Sequence, residues 1–144
     1  MWPTLILSTA LLLIATIGAV VMATRRSARP SRTGGGVRVT GACGDTMMLE
    51  LTIARDRVVA SRPHTDGCAF SRVCLAAAAE LAAGKTIADI LAIDADQIEA
   101  RLGGLPHDHR HCAALAAAAL TAAAEQHRKN ERIHRAVSEQ ACTR

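Results

Sequence analysis

Hydrophobic and polar positions change their rhythm several times along this chain. The first 24 residues carry no charge, and residues 5–23 are nearly all apolar. Polar and glycine-rich sequence follows, with Pro30 and the run Gly34-Gly35-Gly36. Then Met47, Leu49, Leu51 and Ile53 alternate with Met48, Glu50 and Thr52, the period-2 pattern of a half-buried strand. Arg55-Asp56-Arg57 follows as a turn, residues 58–65 return as a second strand, and residues 37–40 add a short third one. After Gly67 the pattern turns helical. An Ala- and Leu-rich helix over residues 70–83 stops at Gly84, where a left-handed residue ends a helix readily. A short helix covers residues 86–92. A third, opened by Asp94-x-x-Gln97 in the manner of a capping box, runs through Leu102 to Gly103-Gly104. A long helix begins near Asp108 and contains the alanine-rich residues 113–124. The expected fold class is α+β, a small antiparallel sheet of two or three strands packed by four helices and preceded by one transmembrane helix.

The apolar N-terminus sets the expected location. As a helix rising about 1.5 Å per residue, residues 3–23 span roughly 30 Å, one hydrocarbon core. Nothing basic precedes the run, whereas Arg25, Arg26, Arg29, Arg32 and Arg38 follow it with no acid among them. The positive-inside rule then places the remainder in the cytoplasm, as a single-pass protein of the cell's inner (plasma) membrane. A cleaved signal peptide fits less well, because the positive n-region and an Ala-x-Ala cleavage signal are missing. The twin Arg25-Arg26 lies after the apolar run, the wrong side for an export signal. The expected organisation is an anchor over 1–24, an Arg/Gly-rich linker over 25–36, one domain over 37–128 and a charged tail over 129–144. That tail is expected as a solvated helical extension or a frayed end.

This topology changes how the five cysteines are read. In a reducing compartment thiols serve as ligands or small buried residues rather than disulfides. The net charge of +4 is accounted for by the basic cluster beside the apolar run. With one Phe, one Trp and no Tyr there is almost nothing to stack on bases, so no nucleic-acid partner is expected.

Four separated positions share one chemistry: Cys43 with Asp45, then Cys68, then the adjacent His111-Cys112. Thiols, a carboxylate and an imidazole are the donors that borderline metals and iron–sulfur clusters take. Cys43 and Asp45 are two residues apart and point the same way in extended chain, with Gly44 between them permitting a sharp bend. Cys68 precedes the first long helix, and Cys112 lies in the first turn of the last. Helix N-termini stabilise thiolates, so both thiols are expected to deprotonate readily. Three cysteines with an exchangeable fourth ligand make a more labile site than the four cysteines of an electron-transfer cluster. Taken singly, a cysteine is more often a small buried residue than a ligand; it is as a set, each member at a loop or a helix start, that the five residues read as a site. Cys74 reads as core packing or as a residue just behind the site, and Cys142 as incidental. His107 and His109 read as solvated loop residues without a role.

The segments Gly41-Ala42-Cys43-Gly44-Asp45, Thr65-Asp66-Gly67-Cys68, Gly84-Lys85-Thr86 and Leu105-Pro106 with His111-Cys112 resemble, in order and approximate spacing, the NifU/IscU-type iron–sulfur cluster scaffold domain. The resemblance covers roughly residues 37–127. It implies a non-enzymatic scaffold that receives sulfur from a cysteine desulfurase, assembles a [2Fe–2S] cluster and passes it to acceptor apoproteins. It carries the cluster ligands to Cys43, Cys68 and Cys112, the labilising aspartate to Asp45 and the histidine to His111, with Cys112 also accepting persulfide sulfur. It implies a small antiparallel sheet with helices packed over it and the site at one end. The chain departs from that pattern in three places. An anchor and tether stand where the family has an N-terminal helix, Leu105-Pro106-His107-Asp108-His109 replaces a Pro-Pro-Val-Lys core, and Cys74 matches a variant with an extra cysteine.

Two other readings use the same residues. Cys43, Cys68 and Cys112 with Asp45 or His111 also make a tetrahedral zinc site, either in an interaction module or in the cluster-free scaffold. A thiol-dependent sulfur-transfer protein would use the Cys112-His111 pair, although no Cys-x-x-Cys motif is present.

Overall fold

The computed structural model describes residues 31–32 and 36–142. The expected membrane anchor over 1–24 lies outside the described residues. Among the described residues no helix is long and apolar enough to cross a membrane.

The alternating segment forms the central strand. Strand β1 (Ser31–Arg32), β2 (Arg38–Thr40), β3 (Thr46–Ala54) and β4 (Arg57–Thr65) make one antiparallel sheet. β4 pairs along one edge of β3, from Met47 opposite Thr65 to Ala54 opposite Arg57, with an irregularity between Thr52 and Ile53. β2 and β1 share the other edge, β2 against Thr46–Met48 and β1 against Thr52 and Ile53. Two residues of the expected linker are therefore paired, because β2 is too short to cover the edge of β3 and extended chain upstream fills the vacant bonds. The hairpin turn is tighter than the expected Arg55-Asp56-Arg57. Arg55 and Asp56 alone form it, both at positive φ of 53° and 60°, the combination that matches the twist of two-residue hairpins.

Met47, Leu49, Leu51 and Ile53 point to one face and are almost wholly buried, as their spacing predicts. Helix α1 (Ala69–Ala82) and helix α4 (Arg110–Cys142) cover that face and pack on each other. Both helices bury alanines: Ala77, Ala78, Ala79 and Ala82 of α1, and Ala113, Ala116, Ala119, Ala123 and Ala124 of α4. Side chains this small allow the close interaxial approach that larger residues prevent. Leu75 and Leu120 are fully buried in the same core cluster. Helices α2 (Ile87–Leu91) and α3 (Ala95–Arg101) insert Ile90 and Ile98 into the same core.

Two helix starts differ from expectation. Asp94 caps α3 by accepting from Gln97 N–H at 2.9 Å, but the Gln97 side chain turns away and donates to the Ala92 carbonyl. The reciprocal box is found one helix earlier, where the Thr86 and Asp89 side chains each accept from the other's backbone N–H. The charged tail is helical, since α4 continues to Cys142, with every residue from 131 to 140 exposed.

Candidate metal centre

Two loops meet at the end of the β3–β4 hairpin where β3 begins. The loop before β3 closes on itself, Gly41 N–H donating to the Asp45 carbonyl at 2.9 Å and Gly44 N–H to the Gly41 carbonyl at 3.0 Å. Gly44 sits at φ +87°, a conformation that a side chain disfavours. The loop after β4 is fastened to Thr46. Asp66 accepts from the Thr46 N–H at 2.9 Å and from its hydroxyl, and the Thr65 hydroxyl donates to the Thr46 carbonyl at 2.6 Å. These bonds hold the Asp66 carboxyl below the usual carboxylate range, the Thr46 hydroxyl contributing most. They also bring Asp45 against the start of α1.

Asp45 Oδ2 accepts from the Ser71 hydroxyl at 2.6 Å and from the Cys68 N–H at 3.2 Å. Both bonds favour the ionised carboxylate, and the Asp45 carboxyl lies below its ordinary value, Ser71 being the larger cause. The approach is so close that a Cβ at position 67 would stand 2.6 Å from Asp45 Oδ2 and 2.7 Å from Ser71 Cβ. Glycine at 67 is thus required for Asp45 to reach the helix start.

Ser71 is the hub of the arrangement. It is fully buried, and its Oγ lies 3.5 Å from both Cys68 Sγ and Cys112 Sγ while bonded to Asp45. Its hydroxyl, with backbone N–H groups at the start of α1, pulls the Cys68 thiol below its ordinary value. Cys68 is exposed and Cys112 fully buried. Burial pushes the Cys112 thiol up, opposed by Ser71 and reinforced by the charges of Cys68 and Cys43. The expectation that both helix-start thiols deprotonate readily is therefore corrected: it fits Cys68, whereas at Cys112 desolvation outweighs the helix start.

A 3₁₀ turn, His107–His109, leads into α4. His109 N–H donates to the Pro106 carbonyl at 2.9 Å, and Arg110 pairs with Glu99 of α3 at 2.9 Å. This turn places His109 where the expected solvated loop residue does not belong. Its ring stacks on Phe70 at 3.9 Å between centroids, with the planes 18° apart. A ring nitrogen of His109 and the sulfurs of Cys68 and Cys112 all lie within 4.8 Å of one another.

The other expected residues stand around this trio. His111 is exposed, with Nε2 3.6 Å from Cys112 Sγ. Cys43 is exposed on the loop before β3, near enough for its charge to act on Cys112. Cys74 belongs to the core, fully buried, its thiol pushed up to about 11 by burial. Ser71 and His109 are the residues that sequence reasoning passed over. Each lies three residues from a cysteine, Ser71 after Cys68 and His109 before Cys112, a helical spacing that brings side chains together.

The sequence profile of the family described as the NifU-like N terminal domain matches residues 24–134. The chain is 39% identical over 92 residues to "Iron-sulfur cluster assembly scaffold protein IscU 1" of Archaeoglobus fulgidus, a match covering 63% of this chain and 60% of that protein. It is 34% identical over 89 residues to "Nitrogen fixation protein NifU" of Nostoc sp., covering 60% of this chain and 30% of that protein. Similarity at 34% over 88 residues extends to "Iron sulfur cluster assembly protein 1" of Trachipleistophora hominis, covering 61% of this chain and 63% of that protein. The chain thus spans less than two thirds of the length of each of these relatives. The matched residues contain the whole sheet, helices α1 to α3, α4 as far as residue 134 and every thiol of the site, and the chain belongs to the NifU-like N-terminal domain family.

Proposed function

We propose that this protein is a scaffold on which a [2Fe–2S] cluster is built and from which it is passed to acceptor apoproteins. The cluster is cargo, and the chain performs no catalytic turnover of its own. Sulfur comes from a cysteine desulfurase. Cys43, Cys68 and Cys112 supply thiolates, Asp45 keeps the cluster labile, and His111 stands beside Cys112. One observation carries this reading. Cys68 and Cys112, from two helix starts, meet across Ser71 next to an ionised Asp45 at the surface end of the sheet. A resident electron-transfer cluster calls for a complete set of four thiolates. A mixed set with a carboxylate in reach suits release. The names that the Archaeoglobus and Trachipleistophora relatives carry, both for iron–sulfur cluster assembly, support it.

The test is reconstitution. The full-length protein, purified in detergent without oxygen and given iron and sulfide, is expected to gain visible absorption and acid-labile sulfide. One tight zinc with no sulfide-containing chromophore is the outcome that sinks the scaffold reading. It would favour the zinc module on Cys43, Cys68 and Cys112 with Asp45 or His111.

The proposal includes a tether. Residues 1–24, read as a single-pass helix followed by five arginines, hold the domain at the cytoplasmic face of the plasma membrane. A membrane-impermeant thiol reagent is then expected to label Cys68 only after the membrane is permeabilised. Labelling in intact cells would reverse the orientation, and recovery of the untreated protein in the soluble fraction would remove the anchor.

A further inference from the structure

We infer that His109, rather than His111, is the imidazole ligand of this site, and that Cys68, His109 and Cys112 form a three-donor seat for a single divalent cation such as Zn²⁺. The inference rests on the scaffold reading for the identity of the site, but its argument is geometric. Around a tetrahedral zinc with Zn–S near 2.3 Å and Zn–N near 2.0 Å, neighbouring donor atoms stand about 3.3–3.8 Å apart. The three donors here already lie within 4.8 Å of one another, so a shift of about an ångström completes the seat.

The surroundings of His109 point the same way. Its Nδ1 is buried and has no hydrogen-bond partner among the described residues, a state that buried polar atoms rarely keep and that a bound cation would relieve. Its Nε2 faces the Asp108 carboxylate at 3.6 Å. A carboxylate beside the second ring nitrogen is the usual support of a metal-bound histidine. Stacking on Phe70 fixes the ring plane before any ligand arrives. His111 has none of these supports. It is exposed, its Nε2 approaches Cys112 alone, and its ring lies 6.3 Å from that of His109. The three donors leave one tetrahedral position open.

The test is zinc binding by the full-length protein in detergent, with iron and sulfide absent, measured by competition with a chromophoric chelator and by X-ray absorption at the zinc edge. His109→Phe keeps a ring against Phe70 while removing both nitrogens, and thermal unfolding of each variant checks that the fold persists. Zinc affinity is expected to fall about tenfold or more in His109→Phe, with loss of the nitrogen neighbour, and to stay within about twofold in His111→Ala. Unchanged affinity in His109→Phe overturns the inference. So do the reverse order, equal losses in the two variants, or a wild-type protein that takes no zinc. Since the assay contains neither iron nor sulfide, it separates from the scaffold reading: zinc held through His109 without a reconstitutable cluster leaves this assignment standing and removes that one.

Discussion

Cys112→Ser is expected to abolish retention of a reconstituted cluster, leaving bound sulfide at least about tenfold below wild type, whereas Cys74→Ala retains it. Both cysteines are fully buried, so burial alone does not separate them. What separates them is company. Cys112 Sγ lies 3.5 Å from the Ser71 hydroxyl and belongs to the trio with Cys68 and His109. The Cys74 thiol, pushed up to about 11, stays protonated at neutral pH and acts as a small apolar side chain. At position 112 serine keeps nearly the same volume and has Ser71 at hand as a partner, so the fold survives while a soft donor becomes a hard one. Truncating Cys74 costs on the order of 1 kcal/mol, the common cost of a core substitution, and leaves the donors in place. The measurement is acid-labile sulfide per chain after anaerobic reconstitution, with unfolding midpoints for both variants. Sulfide lost in a folded Cys74→Ala and kept in Cys112→Ser would move the ligand set to the inner face of α1.

The elements legible from the chain were those with a strong repeat. β3 shows its inward residues at every second position, and all four are buried. The alanine run of α4 suggested close helix packing, and Ala113, Ala116, Ala119, Ala123 and Ala124 are buried, whereas Ala114 and Ala118 face solvent. Pairing without a repeat was not legible. Ser31–Arg32 joins the sheet because β2 leaves part of the β3 edge open, a vacancy visible only once β3 is placed. The box at Thr86–Asp89 was passed over for one at Asp94, because both segments offer a capping residue and the neighbouring backbone decides which side chain turns back.

The site was legible in its residue types and less so in its physics. Helix starts marked Cys68 and Cys112 as thiolate positions on the assumption that both helix ends are exposed. The structure divides them: Cys68 faces solvent and gains Ser71's hydroxyl, while Cys112 is fully buried in the first turn of α4 and loses its solvation. Depth of burial is set by how α1 and α4 pack, which a local motif does not encode. Ser71 carried no signal apart from its place three residues after a cysteine in an otherwise apolar helix. His109 was obscured by its neighbours, since His107, Asp108, Arg110 and His111 give the segment the look of a solvated loop. The 3₁₀ turn after Pro106 and the single phenylalanine lift it out of that setting.

Asp45→Ala is expected to assemble a cluster normally and to release it to an acceptor apoprotein about tenfold more slowly or worse, an effect of the size that ligand-supporting groups have on metal sites. The carboxylate is ionised and held by the Ser71 hydroxyl and the Cys68 N–H, at the edge of the thiol group. An oxygen donor there is a poor match for iron already bound by thiolate and sulfide, so it favours exchange over retention. Removing it also returns the Ser71 hydroxyl to Cys68 and Cys112, the two sulfurs 3.5 Å from it. Hydrogen bonds to thiolates favour the charged, ligating form, so the sulfurs that remain should hold iron more firmly. The fold has little to lose, because Thr46 and Asp66 still fasten the two loops together. Transfer is followed by the visible spectrum of an acceptor separated from the scaffold at timed intervals, with the loaded scaffold alone as the control for spontaneous loss. A variant that sheds its cluster faster than wild type, with or without an acceptor, would mean that Asp45 retains the cargo and that its place beside Ser71 serves stability instead of release.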